Sequence, residues 1–213
     1  SAINAMLYVR GHSWDYDHWR DLGNEGWSYK DVLPYFKKCE HNEVHNNEYH
    51  GQNGPLNVCK IRHTNKPTQD FVKTGSTIFG YNDDFNGENQ EGIGFYQTTQ
   101  KDGKRCSAAK AYLVPILDRE NLTVLTSTHV NKIVIEGDTA TGVECINEDG
   151  EFFTVNANKE VLLSSGAFGS PQILLRSGVG DASEITKHGI DHKIDLPGVG
   201  TVSYTHLRAH ETV

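Results

Sequence analysis

Val161-Leu162-Leu163-Ser164-Ser165 runs straight into Gly166-Ala167-Phe168-Gly169-Ser170-Pro171-Gln172-Ile173-Leu174-Leu175. A short apolar run of this kind reads as a buried parallel strand. The glycines that follow read as a tight turn, with Ser170 placed to cap a helix and Pro171 to open it. Gly178 then stops the helix. Strand, glycine turn and helix in this order suit a ligand, because glycine lets backbone approach closely and a helix start presents free N–H groups. The spacing is not G-x-G-x-x-G, so a plain tight turn between strand and helix is the alternative reading.

Upstream, from residue 122, the texture is β-rich. Leu122–Ser127, Lys132–Glu136, Ala140–Asn147 and Glu151–Asn156 read as strands, with a hairpin turn at Glu148-Asp149-Gly150. Before that the pattern is mixed. Residues 2–10 read as a helix, and Ser13 as the cap of a short helix carrying Trp14 and Trp19. Ser28 opens a capping box with Asp31, and Tyr29, Val32, Leu33 and Phe36 share one helical face interrupted by Pro34. Residues 40–57 read as polar loop, and Pro67 starts a helix to Gly80 whose buried side is Phe71, Val72, Ile78 and Phe79. Residues 93–100 read as a strand turned at Asp102-Gly103, and 107–119 as a helix disturbed by Pro115.

The 213 residues carry 28 acidic and 20 basic side chains, a formal net charge of −8. That balance argues against nucleic acid as a partner, which needs a basic patch. No apolar run approaches the length of a membrane span. Cys39, Cys59, Cys106 and Cys145 form no C-x-x-C pair and read as free buried thiols, suited to a reducing compartment. His41, His45 and His50 lie among Glu40, Glu43 and Glu48; metal ligation is conceivable, but a solvated loop is the preferred reading, and no metal site is expected. Asp15, Asp17 and His18 read as the polar face of a helix packed by its tryptophans, and Asn121-Leu122-Thr123 as a chance sequon.

The two ends call for separate expectations. No targeting signal is visible, and a start inside an apolar segment suggests a truncated gene product. The stretch 201–213 resembles the translation of a sequencing-library adaptor joined at or near Thr201, and is set aside from fold reasoning.

Ser1-Ala2-Ile3-Asn4, with Tyr8, Gly11 and Asp17, resembles the back half of the first signature of the glucose–methanol–choline (GMC) oxidoreductases. Gly166 to Gly180 is similar to the whole second signature. Asp17-His18-Trp19, Gly26-Trp27-Ser28, His50-Gly51, Gly54-Pro55-Leu56, Arg105-Cys106-Ser107 and Leu196-Pro197-Gly198 resemble words of choline-dehydrogenase-like members, so the likeness covers residues 1 to about 200.

The resemblance implies an α/β fold, a fragment of a doubly wound FAD-binding domain joined to a sheet-and-helix substrate domain. By that likeness residues 1–30 and 121–200 belong with FAD and 31–120 with the substrate cap. It implies that Asn4, Ala5, Met6 and Leu7 lie against the flavin, that Val130 offers its backbone to the adenine, and that Ser165 and Gly166 approach the cofactor. The implied reaction is oxidation of an alcohol by hydride transfer to flavin N5, helped by a base that removes the hydroxyl proton. The family's histidine base has no match here, so no catalytic residue is named, and this chain alone is expected to bind FAD weakly or not at all. A small alcohol is the expected substrate and oxygen or a quinone-type carrier the acceptor. The cytoplasm or the periphery of a bacterial inner membrane is the preferred compartment. A GMC-fold lyase and a non-catalytic nucleotide-binding or interaction module are the alternatives.

Overall fold

The computed structural model describes residues 4–201. The expectations for residues 1–3 and for the tail 202–213 therefore lie outside the described residues. The chain divides into two compact units, Ser1–Leu122 and Thr123–Val213.

In the first unit, β1 (Leu7–Tyr8), β2 (Glu40–Asn42), β3 (Leu56–Lys60) and β4 (Gln97–Thr98) form one sheet in the order β1-β4-β3-β2. β2 and β3 pair in parallel and the other pairs are antiparallel. Residues 4–10 are thus not a helix: Met6 sits at φ 64°, a left-handed conformation that ends any helix, and Leu7 pairs with Thr98 instead. Residues 40–57 are not all loop either, since both ends of that segment enter the sheet.

Helix α1 (Ser13–Asp21) is capped by His12 rather than Ser13. The imidazole accepts from Trp14 N, and the Asp15 carboxylate accepts from His12 N at 2.7 Å. Trp14 and Trp19 are exposed, whereas Tyr16 is buried, its hydroxyl accepting from Gly11 N at 3.0 Å. Helix α2 (Tyr29–Cys39) has the expected capping box between Ser28 and Asp31, with Lys37 and Lys38 in its last turn and Pro34 inside. Helix α3 (Lys66–Phe79) starts at its Asn65 cap and stops at Gly80. Only Val72 of its expected apolar face is buried, while Phe71, Ile78 and Phe79 face outward. The helix rests on its neighbour near Gly75, against Ile93, so the contact is narrow. β5 (Gln100–Lys101) and β6 (Lys104–Arg105) form the hairpin turned at Asp102-Gly103. The expected helix at 107–119 is reduced to a π turn at Ala109–Leu113 and a 3-10 turn at Val114–Ile116.

In the second unit, β7 (His129–Glu136), β8 (Thr139–Ile146) and β9 (Phe152–Asn156) make an antiparallel meander. Residues 122–127 are irregular, not a strand. Helix α4 (Gly166–Arg176) is followed by β10 (Val179–Gly180), α5 (Ala182–Lys187) and β11 (Ile194–Asp195), with β10 and β11 paired in parallel. The core is Ile133, Ile135, Ile173 and Val179, joined by Val161, Leu163 and Leu174.

The expected buried strand Val161–Ser165 is irregular, and Leu162 is exposed. Among the described residues no strand runs beside it, so its backbone has no ladder to join. Helix α4 begins at Gly166, not at Pro171; the Ser170 hydroxyl accepts from Ser165 N at 2.9 Å from inside the first turns. The protein is of mixed α/β class. All four cysteines are free, and among the described residues no helix is long and apolar enough to cross a membrane.

Candidate functional site

Two stretches answer to the residues expected to meet a cofactor, one in each unit. In the first, Asn4 and Ala5 are exposed and Met6 is half-buried. Asn4 Oδ1 accepts from Met6 N at 2.8 Å, a side-chain turn that supports the left-handed Met6. Arg105 clamps this turn, donating from Nη1 to Asn4 Oδ1 at 2.7 Å and from Nη2 to Asn4 O at 2.9 Å. Thr99 N donates to Met6 O at 2.8 Å. The Met6 backbone is thus held in a sparsely populated conformation by bonds on both sides.

In the second unit, Ser165 and Gly166 open α4. Gly166 has φ 84°, which disfavours any L side chain, and a Cβ built on it would meet nothing within 4 Å. The Ser165 side chain does not cap the helix. The helix start places the positive end of its dipole at these residues. Val130 is half-buried on β7, the edge strand, next to a register shift before Lys132. A cavity of about 630 Å³ in this unit is lined by Asn131, Lys132, Glu144, Arg176 and Lys193 among others, and holds none of Val130, Ser165 or Gly166.

A third constellation escaped sequence reasoning. His50, expected in a solvated loop, has a fully buried side chain, as does Glu40. Arg10 Nη2 donates to Glu40 Oε2 at 2.7 Å and Nη1 to Tyr49 O at 2.7 Å. His50 Nδ1 lies 3.1 Å from Glu40 Oε1 and Nε2 lies 2.9 Å from Asp84 Oδ2. Asn42 Nδ2 and Gly51 N also donate to Glu40.

A carboxylate on each ring nitrogen favours the imidazolium, against the Asn42 amide nitrogen 3.0 Å from Nδ1, which can only donate. Burial alone would lower its pKa, but the hydrogen bonds to Asp84 and Glu40 override that and raise it to about 9. Glu40 and Asp84 both shift down: burial opposes their charge, and the hydrogen bonds from His50 outweigh it together with the other donors. The one usable signal in the sequence was the mix of Arg, Glu and His with small polar residues, which does not reveal burial. His41 bonds to Gln52 O and His45 to Asp83 O. Among the described residues no group of His, Cys, Asp and Glu is arranged to hold a metal.

The family model for GMC oxidoreductase matches residues 1–207. The chain belongs to the GMC oxidoreductase family. It is 44% identical over 211 residues to an oxygen-dependent choline dehydrogenase of Brucella ovis, covering 99% of this chain and 38% of that protein. It is 43% identical over 210 residues to an alcohol dehydrogenase [acceptor] of Pseudomonas putida, covering 97% and 38%. Among solved structures it is similar to pyridoxine 4-oxidase from Mesorbium loti, with a TM-score of 0.85, 29% identity and coverage of 92% of this chain and 39% of that one. An FAD-dependent oxidoreductase from Chaetomium thermophilum matches with a TM-score of 0.84, 30% identity and coverage of 92% and 36%. The GMC segment described here thus spans 38% of the length of the curated relatives.

Proposed function

We propose that this segment is part of an FAD-dependent enzyme that oxidises a small alcohol to an aldehyde or ketone. The observation that carries this reading is the 44% identity over 211 residues to an enzyme named for choline oxidation. The Asn4–Leu7 turn and the start of α4 fit the group, because the first is held in place by Arg105 and the second opens on Gly166, beside which a side chain would meet nothing within 4 Å.

Asn4, Ala5, Met6 and Leu7 are the residues that would hold the ring system. Val130 would offer its backbone to the adenine, and Ser165 and Gly166 would approach the cofactor. When bound, FAD supplies a two-electron acceptor for a carbon-bound hydrogen of the alcohol. The chain's own contribution is a fixed surface: the Arg105 clamp orders the Asn4–Met6 backbone before any ligand arrives, which lowers the cost of binding. Residues 1–30 and 121–200 are assigned to the cofactor and 31–120 to the substrate side. The substrate is an alcohol of the choline class, the acceptor oxygen or a quinone-type carrier. The four free thiols favour the cytoplasm or the cytoplasmic periphery of a bacterial inner membrane.

The test is to express the protein at the length of its relatives, record the flavin spectrum, and add choline and a panel of simple alcohols anaerobically. Bleaching of the flavin band by one of them is the expected result. A colourless protein, or a flavin that no alcohol reduces, would refute the reading.

A further inference from the structure

The buried ionic cluster of the first unit closes on itself. Arg10 bonds Glu40, Glu40 bonds His50, and His50 bonds Asp84. Asp84 Oδ1 then accepts from Asn86 N at 3.1 Å, and Asn86 Oδ1 accepts from Arg10 N at 2.7 Å, which returns to the starting residue. Asn86 Nδ2 also donates to Tyr8 O at 3.1 Å. A second arm runs from the same cluster: Asn42 Nδ2 donates to Gln97 Oε1 at 3.2 Å, and Gln97 is the β4 partner of Tyr8.

Both arms therefore end on the backbone of residues 8–10, immediately after the Asn4–Leu7 turn. The ring joins segments far apart in sequence, which no local turn could hold. We propose that this closed ring is the device that positions the Asn4–Leu7 turn, with His50 as the positioning residue that completes it and whose loss of a proton releases it.

The proposal deepens the proposed function, since it rests on that turn meeting the cofactor. His50 is faced by Glu40 from β2 and by Asp84 from the 81–92 loop. The Asn42 amide and the His45 ring, 5.3 Å away between centroids, also face it, and Arg10 lies behind Glu40. A neutral imidazole keeps one N–H. One of the two carboxylates would then meet a lone pair and not a donor, and the ring of bonds would open at that point.

The experiment follows the backbone ¹³C resonances of Met6, Leu7, Tyr8 and Arg10 and the His50 ring carbons in the full chain from about pH 7 to about pH 10. The His50 ring is expected to titrate near 9 and the four backbone positions to move with it at one midpoint. In His50→Gln, whose amide cannot donate to both carboxylates as imidazolium does, those positions should be displaced already at neutral pH and should not titrate. The resonances of α3, in the same unit as His50, should stay in place and report that this unit is folded. Asp84→Asn is the second variant, and the wild-type titration needs no variant at all.

Backbone positions at residues 6–10 that stay still while the His50 ring titrates would overturn the proposal, as would a His50→Gln spectrum like wild type. A second readout, the FAD dissociation constant of the protein at its relatives' length, should rise about tenfold or more over the same range. Coupled resonances with no FAD binding would uphold the ring and reject the cofactor reading, so the two failures are distinguishable.

Discussion

Raising the pH through His50's titration should unfold the first unit more easily while leaving the second alone. The imidazole is buried between Glu40 and Asp84, and its pKa rises from 6.5 to about 9 on folding. A group with a raised folded pKa contributes its full stability below its unfolded value. The contribution shrinks as pH climbs from about 6.5 and is gone above about 9. The rise corresponds to about 3 kcal/mol, against a total of about 5–15 kcal/mol for a typical domain. Glu40 and Asp84 work in the other direction: their lowered pKa values give stability above about 4.5 and 3.8 that is lost in acid. The first unit should therefore be most stable between about pH 4.5 and about pH 6.5.

The assay is urea denaturation at a series of pH values, read by tryptophan fluorescence. Trp14, Trp19 and Trp27 are the chain's three tryptophans and all lie in the first unit, so the signal belongs to it alone. With a slope of about 1–3 kcal/mol per M, the midpoint should fall by about 1–3 M between about pH 6.5 and about pH 9.5. A midpoint that holds steady across that interval would show that His50 is not held as a cation, and the reasoning would fail.

Other substitutions probe the remaining joints. Glu40→Gln removes the charge that Arg10 and His50 share and should cost about 3–5 kcal/mol by the same fluorescence assay, because buried Arg10 loses its carboxylate and His50 keeps only Asp84. Ser177→Ala should cost about 1–3 kcal/mol, read by circular dichroism of the β-rich unit: Ser177 Oγ accepts from Ile133 N at 2.8 Å in a buried site, and the N–H would be left bare. Gly51→Ala would put a Cβ 1.9 Å from Lys37 O and 2.7 Å from Glu40 O. It should destabilise the first unit by about 1–3 kcal/mol or more, whereas Gly198→Ala, with nothing within 4 Å of the added Cβ, should leave stability unchanged. Arg105→Ala should remove two bonds to Asn4 and weaken FAD binding about tenfold to a hundredfold in the protein at its relatives' length, measured by flavin fluorescence; unchanged affinity would rule out a role for the clamp.

Family and class were legible before any coordinates, because they reside in local words. The second signature at 166–180, the Ser28 capping box, the Gly150 hairpin and the Pro67–Gly80 helix limits all depend on residues within a few positions of one another. Short-range chemistry of that kind is written into the chain itself. What the tertiary structure alone decided was burial and partnership. Met6 is left-handed because Asn4, Arg105 and Thr99 hold its neighbours, and Val161–Ser165 stays irregular because among the described residues no strand lies beside it. His50 and Glu40 look solvated among their polar neighbours, yet Arg10 and Asp84, each more than 29 residues from its partner, draw them into the interior. Charge compensation between distant segments depends on how the chain folds back on itself, and no window of sequence contains it.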